Sequence, residues 1–549
     1  MTGKLRIMPL GGLGEVGKNM TAIEYGRNIV IIDAGMMFPD SDMPGVDYII
    51  PDWNYLRDKG DRIRAILITH GHLDHIGALT HFLKEFDAPV YATRLTRGLI
   101  ETKLKRARMM RDVELHTYAG GDRIDIGPFT IEPYHVCHSI PDSVGLGITT
   151  PAGLIVHSGD FKLDETPVDG RPTDVAKLHE FAERGVLALL ADSTNADQPG
   201  FTPSEATLDA SFDRIMEAAH GRVIIATFAS LVSRVQQIVN AAERHGRKVA
   251  IAGRSMVENT QLARELGYLD MPHDMIVSLG KASDMPADEV LIIATGSQGE
   301  PMAVLNRLAT DNHRSLQLQE GDTVLLSSHT IPGNEEMTNG LINRLFKRGA
   351  DVYYGPLAEA HVSGHASQED LRRLIEILRP RFLMPVHGEI RHLAHHARLA
   401  RELGIPRERI AMVENGYPVS FDGEKVKVSK RVPGDNVFVI GSQVSDLDPQ
   451  VISDRDGLAQ GGFVTTIARY DRHAGKTVGQ PRIITGGFMH SPDANRLLAR
   501  AGDVVRSSAA KRRRTTVDKV EEEVEQALSN LFYQETRQRP MVTVALLEV

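Results

Sequence analysis

The chain has a single cysteine in 549 residues, Cys137. One thiol excludes an intrachain disulfide and agrees with a reducing compartment. No run of about 18 apolar residues occurs, which excludes a membrane-spanning helix, and "MTGKLRIMPLGG" lacks the apolar stretch of a signal peptide. A cytoplasmic protein with no membrane partner is therefore expected. An excess of basic charge is also missing. The 63 Lys and Arg are outnumbered by 72 Asp and Glu, for a net charge of −9, which argues against a surface coated for nucleic acid but leaves room for a local basic groove. Two stretches are candidates for one, "TRLTRGLIETKLKRARMMR" at 93–111 and "KRRR" at 511–514. The bland reading is that both are solvated faces.

What is present reads as an ordinary soluble composition, 42% hydrophobic and 25% charged, in a chain too long for one core. Residues 1–205 carry many short apolar strands and few helices, among them "NIVIIDAG", "IRAILITH", "FTIEPYHV", "GLIVHSGD" and "VLALLADST". From 206 to 350 helices and strands alternate ("GRVIIATF", "LVSRVQQIVNAAERHG", "RKVAIAG", "DEVLIIATG"), the rhythm of a parallel α/β unit. Residues 351–430 return to mixed strands and helix. The end of the chain spaces apolar residues by three and four in "VDKVEEEVEQALSNLFYQETRQ", a helix, and closes on a strand, "PMVTVALLEV".

The segment "PLGGLGEVGKN" holds Gly12, Gly14 and Gly17 in the spacing of a dinucleotide-binding loop. That mechanism needs a helix after the last glycine, whereas "KNMTAIEYGRNIVIIDAG" reads as two strands joined at Tyr25-Gly26-Arg27-Asn28. Without a helix end there is nothing to hold a pyrophosphate.

Chemistry concentrates in "THGHLDH", which follows the apolar strand "RAILI". His70, His72, Asp74 and His75 would each need a buried partner in a core. A metal cluster removes that difficulty, since imidazole and carboxylate suit zinc or manganese. The extended turn can aim His70 and His72 at one ion and Asp74 and His75 at another. Further donors stand at other strand ends: His138, with His135 as a rival, Asp160 and His387. His157 reads as packed or supporting, and Cys137 as buried filler facing away from the site. His392, His395 and His396 read as the solvated face of a helix.

With these residues placed, the chain resembles the metallo-β-lactamase fold superfamily. The series "LLADSTNAD", "ATGSQGEP", "SSHTIPGNE", "HVSGHAS", "MPVHGEI" and "RPMVTVALLEV" narrows the likeness to its beta-CASP nucleases and to bacterial ribonuclease J. The resemblance implies an α/β fold: an αββα sandwich over 1–205 and 351–430, a beta-CASP α/β domain inserted at 206–350, a linker at 431–455, and a small C-terminal α/β domain at 456–549. It implies two divalent metal ions, zinc foremost with manganese or magnesium as substitutes. One would be held by His70, His72, His138 and Asp160, the other by Asp74, His75, Asp160 and His387, with Asp160 bridging. Asp33 and Asp192 would orient the histidines. His387 stands where RNA-processing members resemble one another, and DNA-repair members have valine.

The implied activity is hydrolysis of single-stranded RNA, 5′-to-3′ from 5′-monophosphate ends with endonuclease cutting alongside. His365 would stabilise the transition state or protonate the leaving oxygen. Ser230, Ser233 and Arg234 would touch backbone phosphates, and Ser363, Gly364, His365 and Ser367 the terminal 5′-phosphate. The alternative for Ser230 and Ser233 is helix capping. Implied partners are a second copy or three, through the C-terminal segment, and other RNA-decay proteins. Two competing readings are a small-molecule metallo-hydrolase, which needs neither the insertion nor His365, and a non-catalytic scaffold, whose mark would be degenerate ligands.

Overall fold

The computed structural model describes residues 4–40, 43–331, 334–355, 358–432, 434, 436–441, 443–445, 449–489, 494–510 and 516–549. Strands Asn28–Ile32 and Ile63–Ile68 are apolar at almost every position and buried on both faces, as the middle of a covered sheet requires. They pair in parallel near the centre of an eight-stranded sheet. Its first strand in sequence, Leu5–Gly11, lies between Met20–Tyr25 and the late strand Val419–Asp422. A second, six-stranded sheet runs in the order Phe382–Val386, Val186–Asp192, Gly153–His157, Val144–Thr150, Phe129–His135, Ile124–Ile126.

Ile7, Ile23, Val30 and Leu67 from the first sheet meet Ile131, Leu146, Ile155 and Leu190 from the second in one core. Each such side chain contributes about 1.5–3 kcal/mol by leaving water. The outer face of the second sheet is covered by helices Val175–Arg184, Gln368–Leu378 and Ile390–Glu402 through Phe181, Leu374 and Leu399. Two sheets packed face to face with helices outside make the αββα sandwich that the resemblance implies.

Between strands Val186–Asp192 and Phe382–Val386, which are parallel neighbours, the chain makes a long excursion. It forms a five-stranded parallel sheet in the order Lys248–Ala252, Val290–Ala294, Val223–Ala226, Thr323–Leu326, Asp351–Tyr353. The runs "VIIA" and "VLIIA" are buried throughout because helices pack on both faces.

These parts form one compact unit, 1–38 with 48–437; a second unit combines 39–47 with 438–549. In the second, strands Lys476–Gly486, Phe463–Asp471 and Met541–Glu548 form a sheet. Val464, Ala468 and Tyr470, alternating on the middle strand, pack on Val520, Val524, Leu528 and Phe532 of helix Val517–Thr536. The stretch 431–455, expected as a linker, instead carries strands Val437–Ile440 and Gln443–Ser445 and the start of helix Pro449–Gly461. Its alternation in "NVFVIG" is short, and too weak to read as strand beside the preceding Pro and Gly. No helix among the described residues is long and apolar enough to cross a membrane. The stretch "KRRR" lies outside the described residues.

Candidate metal centre

Strands Asn28–Ile32 and Ile63–Ile68 run parallel in one sheet, as do Gly153–His157, Val186–Asp192 and Phe382–Val386 in the other. Their carboxyl ends deliver Asp33, His70, Asp160, Asp192 and His387 to one place, where His138 arrives just after Phe129–His135. Asp33 and His387 hold left-handed backbone, with φ of 60° and 53°. Asp and His tolerate that region better than most residues, at a cost of about 1–2 kcal/mol that the surroundings must offset.

Two groups of donors converge. In the first, the Nε2 atoms of His70 and His138 each lie 3.1 Å from His72 Nδ1. In the second, His75 Nε2 is 3.1 Å from Asp160 Oδ2 and 3.3 Å from Asp74 Oδ2; His387 stands 3.4 Å from Asp74 and 2.9 Å from Asp160 Oδ1. Asp160 also faces the first group, 3.6 Å from His70 and 3.8 Å from His138. It is therefore within reach of both.

Behind these donors stand braces. Asp33 accepts from Thr69 N and Thr69 Oγ1, both at 2.8 Å, and holds His75 Nδ1 at 2.7 Å, which turns His75 Nε2 toward Asp160. His138 Nδ1 donates to the Gly364 carbonyl at 2.8 Å. Asp192 accepts from Thr194 N and Oγ1 with one oxygen and pairs with His365 Nδ1 at 2.8 Å with the other. A third grouping, Asp160, Asp192, His365 and His387, is also close enough to hold an ion, but both oxygens of Asp192 are already engaged.

Electrostatics make the centre fit a cation. Burial drives His72 down to about 4 and His138 to about 3, and holds His70 well below its ordinary value. The three imidazoles are thus neutral, and a single N–H on His72 Nδ1 could meet only one of the two ring nitrogens that face it. Burial opposes the charges of Asp74 and Asp160, but His75 and His387 outweigh it and keep both carboxylates ionised. Those carboxylates in turn lift His75, and raise His387 to about 10 against its burial. His387 Nε2 is buried and faces Asp74 Oδ2 at 3.4 Å, too far for a good hydrogen bond. Neutral imidazoles beside ionised carboxylates form the donor set that a divalent ion takes.

The glycine loop finds its use here. Asn19, absent from the sequence-based site, places Nδ2 3.1 Å from His75 and 3.4 Å from Asp74. Gly12 has φ of 88°, and a Cβ there would sit 2.2 Å from Asn19 Oδ1; one on Gly35 would sit 1.5 Å from the Asp74 carbonyl oxygen. The glycines let the backbone close over the ligands. The signal for Asn19 was its place at the end of "GEVGKN", beside a loop already seen to lack a cofactor role.

Other expected residues sort as follows. His135 bonds to the Arg171 carbonyl and stays out of the cluster. His157 is buried and accepts from Gly159 N. Cys137 is buried and donates to Arg171 O, its thiol pushed up to about 11 by burial. The solvated helix face needs correction: His395 is exposed, but His392 and His396 are buried, because helix Ile390–Glu402 covers a sheet with the side that carries them. Arg234 is corrected too. It is 2% exposed, and its guanidinium is consumed by Glu205, Ser327 and the Ala360 carbonyl, so it offers nothing to a phosphate.

Ser367 is likewise buried, bonded to Thr202 Oγ1 and opening helix Gln368–Leu378. Ser230 and Ser233 are half-buried, and helix Val232–Arg244 has no side-chain cap, so capping does not account for them. Ser363 accepts from Asn195 Nδ2 at 2.8 Å, which leaves its hydroxyl hydrogen free to donate.

Four family models match the chain. They are the metallo-beta-lactamase superfamily at 13–208, the ribonuclease J beta-CASP domain at 220–345, the Zn-dependent metallo-hydrolase RNA specificity domain at 358–410, and the ribonuclease J C-terminal domain at 450–549. Ribonuclease J2 of Bacillus subtilis is 38% identical over 551 residues, spanning 100% of this chain and 99% of that one. Ribonuclease J of Corynebacterium glutamicum is 44% identical over 90% of this chain and 68% of its own, and that of Thermus thermophilus 44% over 84% and 82%. A solved Enterococcus faecalis protein of unknown function shares the fold, with a TM-score of 0.54 and 17% identity over 76% of this chain and all of its own. Matched along its length by a relative of that identity and by both ribonuclease J domains in order, the chain belongs to the ribonuclease J family, metal-dependent ribonucleases on the metallo-β-lactamase fold.

Proposed function

We propose that this chain degrades single-stranded RNA from 5′-monophosphate ends, 5′ to 3′, and also cuts internally, at a centre of two zinc ions in the cytoplasm. The observation that supports it is Asp160, within 4 Å of donors from both groups. His70, His72, His138 and Asp160 would hold one ion, and Asp74, His75, Asp160 and His387 the other. Bound there, a pair of such ions lowers the pKa of water and neutralises charge on a phosphodiester.

The chain's own residues supply the rest. Asp33 and Asn19 fix His75, and the Gly364 carbonyl fixes His138. Burial disfavours charge on His365, yet Asp192 and Asp160 outweigh it and raise its pKa above the ordinary value. A protonated His365 can give its proton to the 3′ oxygen as that oxygen leaves. Ser363 and the backbone around Gly364 would receive the terminal phosphate, and Ser230 and Ser233 the phosphates further along. The C-terminal unit would join two or four copies, and other RNA-decay proteins would dock on that assembly.

The test compares one 3′-labelled RNA carrying a 5′-monophosphate, 5′-triphosphate or 5′-hydroxyl, with Asp74→Ala as the blank. Fast conversion of the monophosphate form alone is expected. Equal internal cutting of all three would remove the end pocket, and no cutting would leave a scaffold.

A further inference from the structure

The loop that supplies His138 is tied to the inserted domain by its own side chains. Ile140, two residues on, is 1% exposed and belongs to the insert's core, with Val232, Val235 and Leu269. Its Cδ1 also lies 3.3 Å from where a Cβ on Gly71 would stand, and Gly71 separates His70 from His72. Asp142 follows, in left-handed backbone with φ of 66° and 9% exposed. One of its oxygens accepts both Leu95 N at 3.2 Å, which opens helix Arg94–Ala107, and the hydroxyl of Tyr268 at 2.8 Å. Tyr268 comes from the insert, just beyond helix Arg254–Glu265. That helix meets Arg94–Ala107 side on, and a Cβ on Gly98 would stand 2.9 Å from Leu262.

A small shift of the insert would therefore pull on Asp142 and Ile140. Those two residues lie within the short stretch between His138 and strand Val144–Thr150. The loop is pinned on its other side, with Val144 N bonded to Thr69 O beside His70.

We infer that Tyr268 is a positioning residue for RNA cleavage: through Asp142 it sets the insert against the metal cluster, so that a strand bound on the insert lies correctly over the donors. This rests on the functional reading above. When the tyrosine hydroxyl is removed, Asp142 Oδ2 keeps the Leu95 N donor, so the pair is weakened, but neither residue belongs to the donor cluster. Loss of the hydroxyl should therefore leave the cluster formed. What it contributes is the alignment of two packed bodies, and loss of alignment lowers turnover more than binding.

Tyr268→Phe keeps the ring and removes only the hydroxyl. On a 5′-monophosphorylated 20-nucleotide RNA, kcat should fall about tenfold with KM within twofold. A 5′-monophosphorylated trinucleotide, too short to reach far onto the insert, should be cut at nearly the wild-type rate, with metal content unchanged and Tm only modestly lower. Asp142→Asn, which keeps an acceptor and tolerates left-handed backbone, should fall between the two. Wild-type kinetics on both RNAs would overturn the inference. Equal loss on both RNAs, accompanied by loss of metal, would overturn it differently, by making the pair a support for His138 alone. A wild-type chain that cuts neither RNA would instead remove the functional reading.

Discussion

At the scale of single residues, the site separates donors from the groups that aim them. His365 is engaged by Asp192, and its ring centroid stands 5.0 Å from that of His138 and 5.4 Å from that of His387. In the function proposed above it would be the proton donor. His365→Ala should lower kcat by roughly 100- to 10,000-fold while metal analysis still finds both ions; loss of metal would make it a ligand. Gly364 tests the brace. A Cβ there would lie 2.7 Å from His138 Nδ1 and 2.9 Å from Ser139 N, so Gly364→Ala should displace His138 and reduce both metal content and RNA cleavage. Unchanged metal content would show that the loop yields. The histidines and carboxylates of the cluster were legible because so many ligating side chains at strand ends have no bland explanation. Asn19, Thr69 and Thr194 were not, since an amide or hydroxyl carries no sign of its partner until the fold brings one.

At the scale of elements, strands read well and helix faces less so. Apolar runs such as "VIIA" and "VLIIA" have one stable use, inside a covered parallel sheet. Helix Ile390–Glu402 misleads because histidine is polar yet packs readily, and His396 is buried with Nδ1 2.9 Å from Ser193 Oγ. Burial holds its pKa at about 4 against an ordinary 6.5. The folded chain thus takes up this proton less readily than the unfolded one. The stability contributed is complete above pH 6.5 and drains away as pH falls toward 4. His396→Gln keeps a polar partner for Ser193 and does not titrate. Between pH 7.5 and 5 the wild type should lose about 2 kcal/mol more than the variant in urea unfolding. Parallel curves would mean that His396 becomes solvated before it charges. Arg234 and Ser367 fail as phosphate contacts for a related reason, because short motifs show which groups are present but not which are already paired.

At the scale of the whole molecule, an acidic chain must attract a polyanion without a cationic coat. With Arg234 enclosed, the proposed phosphate contacts are hydroxyls, backbone N–H groups and one imidazole, which release few counterions. For a five-nucleotide substrate, log kcat/KM against log salt should therefore fall with a slope no steeper than about −1.5. A slope near −4 would mean that lysines and arginines, such as those on helix Arg94–Ala107, line the path of the strand.

The place of the insertion has a further consequence, for synthesis. Asp192 and Val386 are paired across neighbouring strands, yet the insert intervenes between them, and strand Val419–Asp422 later pairs with Leu5–Gly11 at the start. A chain leaving the ribosome presents His70, His72 and His138 early, but His387 only after the insert has been made. For that interval the nascent protein holds the residues of the first group but lacks His387 of the second, and it also lacks the Gly364 carbonyl that fixes His138. The contacts that finish the centre are long-range ones, which form last and slowly. A nuclease arranged in this way cannot assemble its second set of donors until its inserted domain has been synthesised.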